Sequence, residues 1–206
     1  MKLTNILTVV VFTLVSALPA LADWEAVVTS TSSKGEFPKF TGKFFSKRDH
    51  FRLDTETPMD MSIFVRSDSK KVYAGIHSFK VKLSTKADRF AGQLPACLSK
   101  DFEACVKELK LKKTGSEKIA GHECEIFEGT PKISGMKKIR LWHWKGEAEP
   151  IFAQSILTKK NGAEVRTVFT KIEKKTHPDS FYEIPKDYKD AGSIEDFFGD
   201  LEGKAP

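Results

Sequence analysis

Between Trp24 and Leu83 the chain is cut into short runs that alternate apolar and polar residues, each ended by a tight polar turn. Successive side chains of a strand point to opposite faces. A run with period two is therefore a half-buried strand, and several joined by short turns form an antiparallel meander. Strands are expected over residues 23–33, 39–47, 50–57, 59–66 and 71–75, with a further run through Phe79, Val81 and Leu83. Gly35 with Pro38, Arg48-Asp49, Pro58 and Ser67-Asp68-Ser69 punctuate them. The same texture returns over 122–128, 136–144, 151–158 and 163–172, where Asn161-Gly162 marks a two-residue hairpin. Phe181 to Pro185 reads as a short closing strand.

A different period separates the two strand regions. Leu98, Phe102, Cys105, Val106 and Leu109 fall three and four apart, which makes one apolar stripe on a helix. Ser99 and Asp101 offer start signals. Lys110, Lys112 and Lys113 place positive charge near the end that the helix dipole favours. At the tail, Ser193 is a capping serine for a short amphipathic helix running to Leu201. The fold class is mainly β with α, with the central helix packed across the sheet.

The N-terminus is a separate segment. Lys2, the apolar run from Ile6 to Leu18 and the small-x-small pattern of Ala20-Leu21-Ala22 form a signal peptide over residues 1–22, cleaved after Ala22. The run of about 13 residues is shorter than the roughly 20 needed to span a bilayer. No cysteine follows the cleavage site to carry a lipid. An exported protein in the bacterial periplasm is expected, with residues 23–206 as a single domain. The formal charge of +6 falls to +5 when Lys2 is removed, and the lysines are spread along the chain. That distribution reads as a solvated basic surface, and export argues against nucleic acid as a partner.

Cys97, Cys105 and Cys124 all follow the leader, and an oxidising compartment pairs two of three thiols. On one continuous helix Cys97 and Cys105 would be about 12 Å apart, beyond disulfide reach. Either the helix breaks between them or Cys124 bonds to one of them, and the second is preferred. No glycine-rich phosphate loop, G-x-S-x-G or H-E-x-x-H occurs. His122 and Cys124 lie two apart on a strand and could face one metal, with His143 as a third ligand. Two ligands and an unplaced third fall short of a closed site, so no metal is expected. No cofactor and no catalytic residue are expected, and the chain does not read as an enzyme. A hydrolase would need a Ser or Asp paired with His143.

One stretch carries more than periodicity. Residues 42–54, Gly-Lys-Phe-Phe-Ser-Lys-Arg-Asp-His-Phe-Arg-Leu-Asp, then Pro58 and Ser62 to Asp68, resemble the opening of LolA-like proteins. In those periplasmic lipoprotein carriers a G-x-aromatic-x-x-K-R-P-x-x-F strand pair precedes a strand ending in an Asp-Gly turn. Gly115 to Cys124, Leu141-Trp142 and Phe181 to Lys189 are similar to an uncharacterised group of exported bacterial domains in that superfamily. The resemblance implies a strongly curved antiparallel half-barrel with one or two helices on its concave side. It places Arg48 where the carriers' arginine holds the lid helix. Asp49 stands in place of the family's proline, and the mature chain lacks the carriers' N-terminal helix.

A half-barrel with an apolar hollow is suited to acyl chains. Burying hydrocarbon yields roughly 0.8 kcal/mol per CH₂, so ten methylenes supply about 8 kcal/mol before association costs. The expected lining is Phe45, Phe51, Leu53, Ile63, Val65 and Trp142, with Phe102 and Leu109 as lid. The expected partner is a hydrophobic ligand or lipoprotein acyl chain, with transient membrane contact at most. The alternative is a module with a filled core that binds an envelope protein.

Overall fold

The computed structural model describes residues 23–35, 39–47, 50–56, 59–66, 71–86, 101–131, 135–194 and 196. The leader, Arg48, Cys97, Leu98 and the tail beyond Asp196 lie outside them. Twelve strands form one sheet: β1 (Trp24–Ser32), β2 (Phe40–Lys47), β3 (His50–Thr55), β4 (Met61–Arg66), β5 (Lys71–Ile76), β6 (Val81–Lys86), β7 (Lys112–Ile119), β8 (His122–Gly129), β9 (Met136–Trp144), β10 (Phe152–Lys159), β11 (Glu164–Lys174) and β12 (Lys189–Ser193). Their order is β12-β6-β5-β4-β3-β2-β1-β11-β10-β9-β8-β7. All neighbours are antiparallel except β12, which runs parallel to β6. The sheet curves strongly and does not close into a barrel, so β7 and β12 are its edges. The expected α+β half-barrel is the architecture found.

Register decides which residues meet. Ala26, Phe44, Leu53, Ile63, Ala74 and Leu83 lie opposite one another across β1 to β6 and form one row on the inner face. Every member is buried. The neighbouring row, Glu25, Phe45, Arg52, Phe64, Tyr73 and Ser84, lies on the outer face. Trp24, Phe44 and Phe169 pack ring to ring and carry the inner face from β2 across β1 to β11.

α1 (Phe102–Glu108) begins at Asp101, whose side chain accepts a hydrogen bond from the Ala104 N–H and caps the first turn. It covers the inner face at β8 to β10. The Phe102 ring stacks on His143 with 3.5 Å between centroids and stands edge-on to Phe127. The helix ends sooner than the lysines suggested. Lys107 is the base in its last turn, and Lys112 and Lys113 belong to β7, an edge strand not foreseen. The cysteine preference is also corrected. Cys124 is a free, buried thiol and Cys105 is disulfide-bonded, so Cys124 is not its partner, and α1 begins only at Phe102 after an extended Asp101.

Residues 175–188 depart from expectation as well. The expected strand at Phe181 to Pro185 is instead a 3-10 turn, Asp179–Tyr182, followed by an irregular strap that crosses the outer face and feeds β12. The Ser193 hydroxyl does accept from the Asp196 N–H, as a capping serine should. The rest of the expected tail helix lies outside the described residues.

Candidate ligand-binding face

Phe51, Leu53, Ile63 and Val65 share the inner face, because Phe51 pairs with Val65 and Leu53 with Ile63. Phe102 and Leu109 are buried in the same core cluster. Two expected lining residues point to the other face by strand parity, although Trp142 is buried in the same cluster. Phe45 pairs with Arg52 and points outward, where its ring packs on His177 and Phe181. Trp142 pairs with Gln154 and Ile126, one residue out of phase with the inner-face Leu141. Its indole Nε1–H donates to Glu117 at 2.8 Å, and the Arg140 guanidinium lies over its ring. In both cases strand parity is the cause, since a one-residue step reverses the face. Phe44, Trp24 and Phe169 take the inner positions instead. Trp24 is the second residue after the expected cleavage site, a place in the chain that periodicity alone does not mark as core.

The metal and hydrolase alternatives can be tested on geometry. His122 and Cys124 do share the outer face, but His143 faces inward, so the three cannot converge. No group of three His, Cys, Asp or Glu suited to a metal occurs among the described residues. The His143 Nε2–H donates to the Glu149 carbonyl at 2.8 Å, and burial against Phe102 holds its pKa below the ordinary value. Both the burial and the packing on Phe102 favour the uncharged ring. Burial also pushes the Cys124 thiol up to about 11, far from a reactive thiolate.

On the outer face Ser62, His77 and Asp54 do touch. The Ser62 hydroxyl donates to Asp54 Oδ1 at 2.5 Å, His77 Nε2 is 2.8 Å from Ser62 Oγ, and the Tyr188 hydroxyl meets His77 Nδ1. Nucleophile activation requires the serine proton to lie on the histidine side, whereas here it goes to the carboxylate. Ser62 is also wholly buried. The chain of hydrogen bonds fixes the strap instead of presenting a nucleophile.

The strap is held along its length. His177 Nε2 lies 3.0 Å from Glu25, Lys47 Nζ donates to Asp179 at 2.6 Å, and Arg52 Nη1 donates to the Phe181 carbonyl at 3.0 Å. Gly75 sits beneath Tyr188, and a Cβ there would come within 3.2 Å of that ring.

No family model matches the sequence, and no curated protein matches it. Solved structures do. The chain is similar to an uncharacterized conserved protein from Thermus thermophilus, with TM-score 0.54 and 12% identity over 84% of this chain and 91% of that one. It is equally similar to MucB, with TM-score 0.54 and 12% identity, covering 82% of this chain but only 59% of MucB. A LolA superfamily protein from Nitrosomonas europaea matches at TM-score 0.44 and 12% identity over 82% of this chain and 92% of that one. The likeness is one of fold. Among the described residues, no helix is long and apolar enough to cross a membrane.

Proposed function

We propose that the chain is a non-enzymatic periplasmic carrier that holds the acyl chains of a lipid or lipoprotein against the inner face of its sheet. One observation carries this reading. A row of apolar side chains, from Ala26 through Phe44, Leu53 and Ile63 to Leu83, runs uninterrupted across six strands of an open, curved sheet. Phe51 and Val65 widen that row, and Phe102 and Leu109 of the α1 segment, over β8 to β10, belong to the same apolar cluster as candidate lid. Hydrocarbon binding needs only apolar area, and no general base or metal is asked of the site. The leader reading supports export, because β1 starts at Trp24, the second residue after the expected cleavage site.

Native mass spectrometry of protein recovered from the periplasm, followed by lipid extraction, tests the reading. Co-purifying lipid and uptake of a fluorescent fatty acid are expected, and Phe51→Asp should abolish uptake while secretion continues. Consistent absence of lipid together with no uptake by the wild-type chain would remove the carrier reading. A second reading, a protein-binding module, is favoured by the shared fold of MucB, which has been solved in complex with MucA(peri).

A further inference from the structure

The strap is fastened at two points and bridges the sheet between them. At one end Arg52 Nη1 donates to the Phe181 carbonyl, and at the other the Tyr188 hydroxyl meets His77 Nδ1. Residues 182–186 in between make no hydrogen bond to the sheet among the described residues, since the Glu183 and Tyr188 N–H groups donate to Ser180 and Pro185 of the strap itself. They form an arch. Between this arch and the outer face lies a cleft of about 440 Å³, within the roughly 300–1,000 Å³ usual for small-molecule sites. Phe64 and Tyr73, which pair across β4 and β5, form its sheet wall, and Tyr182, Pro185 and Tyr188 its strap wall.

Tyr182 is the informative wall residue. It is 2% exposed, and its hydroxyl is buried with no hydrogen-bond partner among the described residues. An unmet buried donor is a standing cost to the fold. Burial raises the pKa of the phenol, so it stays protonated and offers that donor. Charge does not choose the occupant. Lys82 faces Asp190 at 3.6 Å and Arg66 is also engaged, which leaves Lys186 and Glu183, of opposite sign, in the wall. The cleft therefore supplies aromatic faces and one hydrogen-bond donor. We propose that it binds a small, planar, uncharged aromatic compound bearing a carbonyl oxygen. The ring lies against Phe64 and Tyr73, and the oxygen accepts from the Tyr182 hydroxyl. The hydroxyl opens to the cleft by movement of the arch, the part of the strap that the sheet does not hold. This site lies on the opposite face from the acyl row and stands independently of the carrier reading.

The test is titration of isotope-labelled protein with benzamide, followed by amide chemical shifts. Saturable shifts in the strap and in β4 and β5 are expected. Cyclohexanecarboxamide keeps the acceptor without the flat ring, and toluene keeps the ring without the acceptor. Each should bind about tenfold more weakly, and benzoate no more tightly than benzamide. Tyr182→Phe should weaken benzamide about tenfold, the loss of one hydrogen bond. Its urea midpoint should nevertheless stay at or above that of the wild type, because the unliganded fold loses only an unmet donor. A lowered midpoint shows that the hydroxyl already has a partner, such as a buried water, and overturns the proposal. Unchanged benzamide affinity in Tyr182→Phe, shifts confined to other parts of the protein, or tighter binding of benzoate overturns it as well. Fatty-acid uptake separates the two ideas. Tyr182→Phe should leave uptake intact, and a wild-type chain that binds benzamide but takes up no fatty acid sinks the carrier reading alone.

Discussion

The Arg52 guanidinium lies 4.4 Å from the centre of the Phe181 ring while its Nη1 donates to the Phe181 carbonyl, 129 residues away in sequence. A second edge of the same fork meets Asp54 at 2.6 Å, and the Phe64 ring lies on its other side at 5.3 Å. One side chain thus ties the strap to β3 and β4. Arg52→Ala should lose about 2 kcal/mol in urea unfolding, from a charged hydrogen bond and a cation–π contact together. Arg52→Lys should recover less than half, because a point charge cannot replace the planar fork. Limited proteolysis should cut the Arg52→Ala strap first, and wild-type stability in that variant would show the strap is held elsewhere.

Acid should weaken the fold in two stages. His143 has its pKa lowered by burial, so it binds a proton more readily unfolded than folded. Its contribution is complete above its ordinary value of 6.5 and declines as pH falls below it. For Glu25, burial opposes ionisation, but the hydrogen bonds from Lys175 and His177 outweigh it and lower the pKa from 4.5. That contribution is lost only at more acid pH. Unfolding free energy measured from neutral to acid pH should therefore begin to fall near 6.5, and His143→Gln should flatten this first limb while leaving the second. A wild-type curve with no loss until Glu25 titrates would contradict the assignment.

How much of this was legible in the sequence depends on how far away each residue's partner lies. β9 was readable at both ends as a run over 136–144, and β3 carries the period-two imprint of a strand buried on one face. β7 was not, since an edge strand exposed on most positions carries no alternation to read. Phe44 and Phe45 stand side by side, and nothing local says which faces the core. The answer comes from Phe169 on one side and Phe181 on the other. Tyr188 carries no local signal of its role, because its partners His77 and Gly75 are more than a hundred residues distant.

The thiols make a sharp chemical prediction. Cys105 is disulfide-bonded and Cys124 is free, which by elimination among three cysteines leaves Cys97 as the partner. Non-reducing peptide mapping should recover a Cys97–Cys105 peptide pair. Cys124, buried and with its pKa pushed up to about 11, should resist alkylation until the protein is unfolded. A peptide containing Cys124 in disulfide linkage would reverse this assignment.

The tryptophans offer a way to ask which face holds the ligand. Trp24 is buried on the inner face beside Phe44 and Phe169, whereas Trp142 and Trp144 pair into the outer face with Ile126 and Cys124. These three are all the tryptophans in the chain. Bromine quenches indole fluorescence only at close range, so a brominated fatty acid reports on the side it occupies. If acyl chains lie against the inner row, quenching should persist in Trp142→Phe/Trp144→Phe, where Trp24 alone emits. It should largely vanish in Trp24→Phe. That substitution keeps an aromatic ring in the packed site and should cost about 1–2 kcal/mol, a loss that unfolding curves can check separately. The opposite pattern, quenching retained by Trp24→Phe and lost in the double variant, would move the ligand to the outer face, where the strap and its clefts lie.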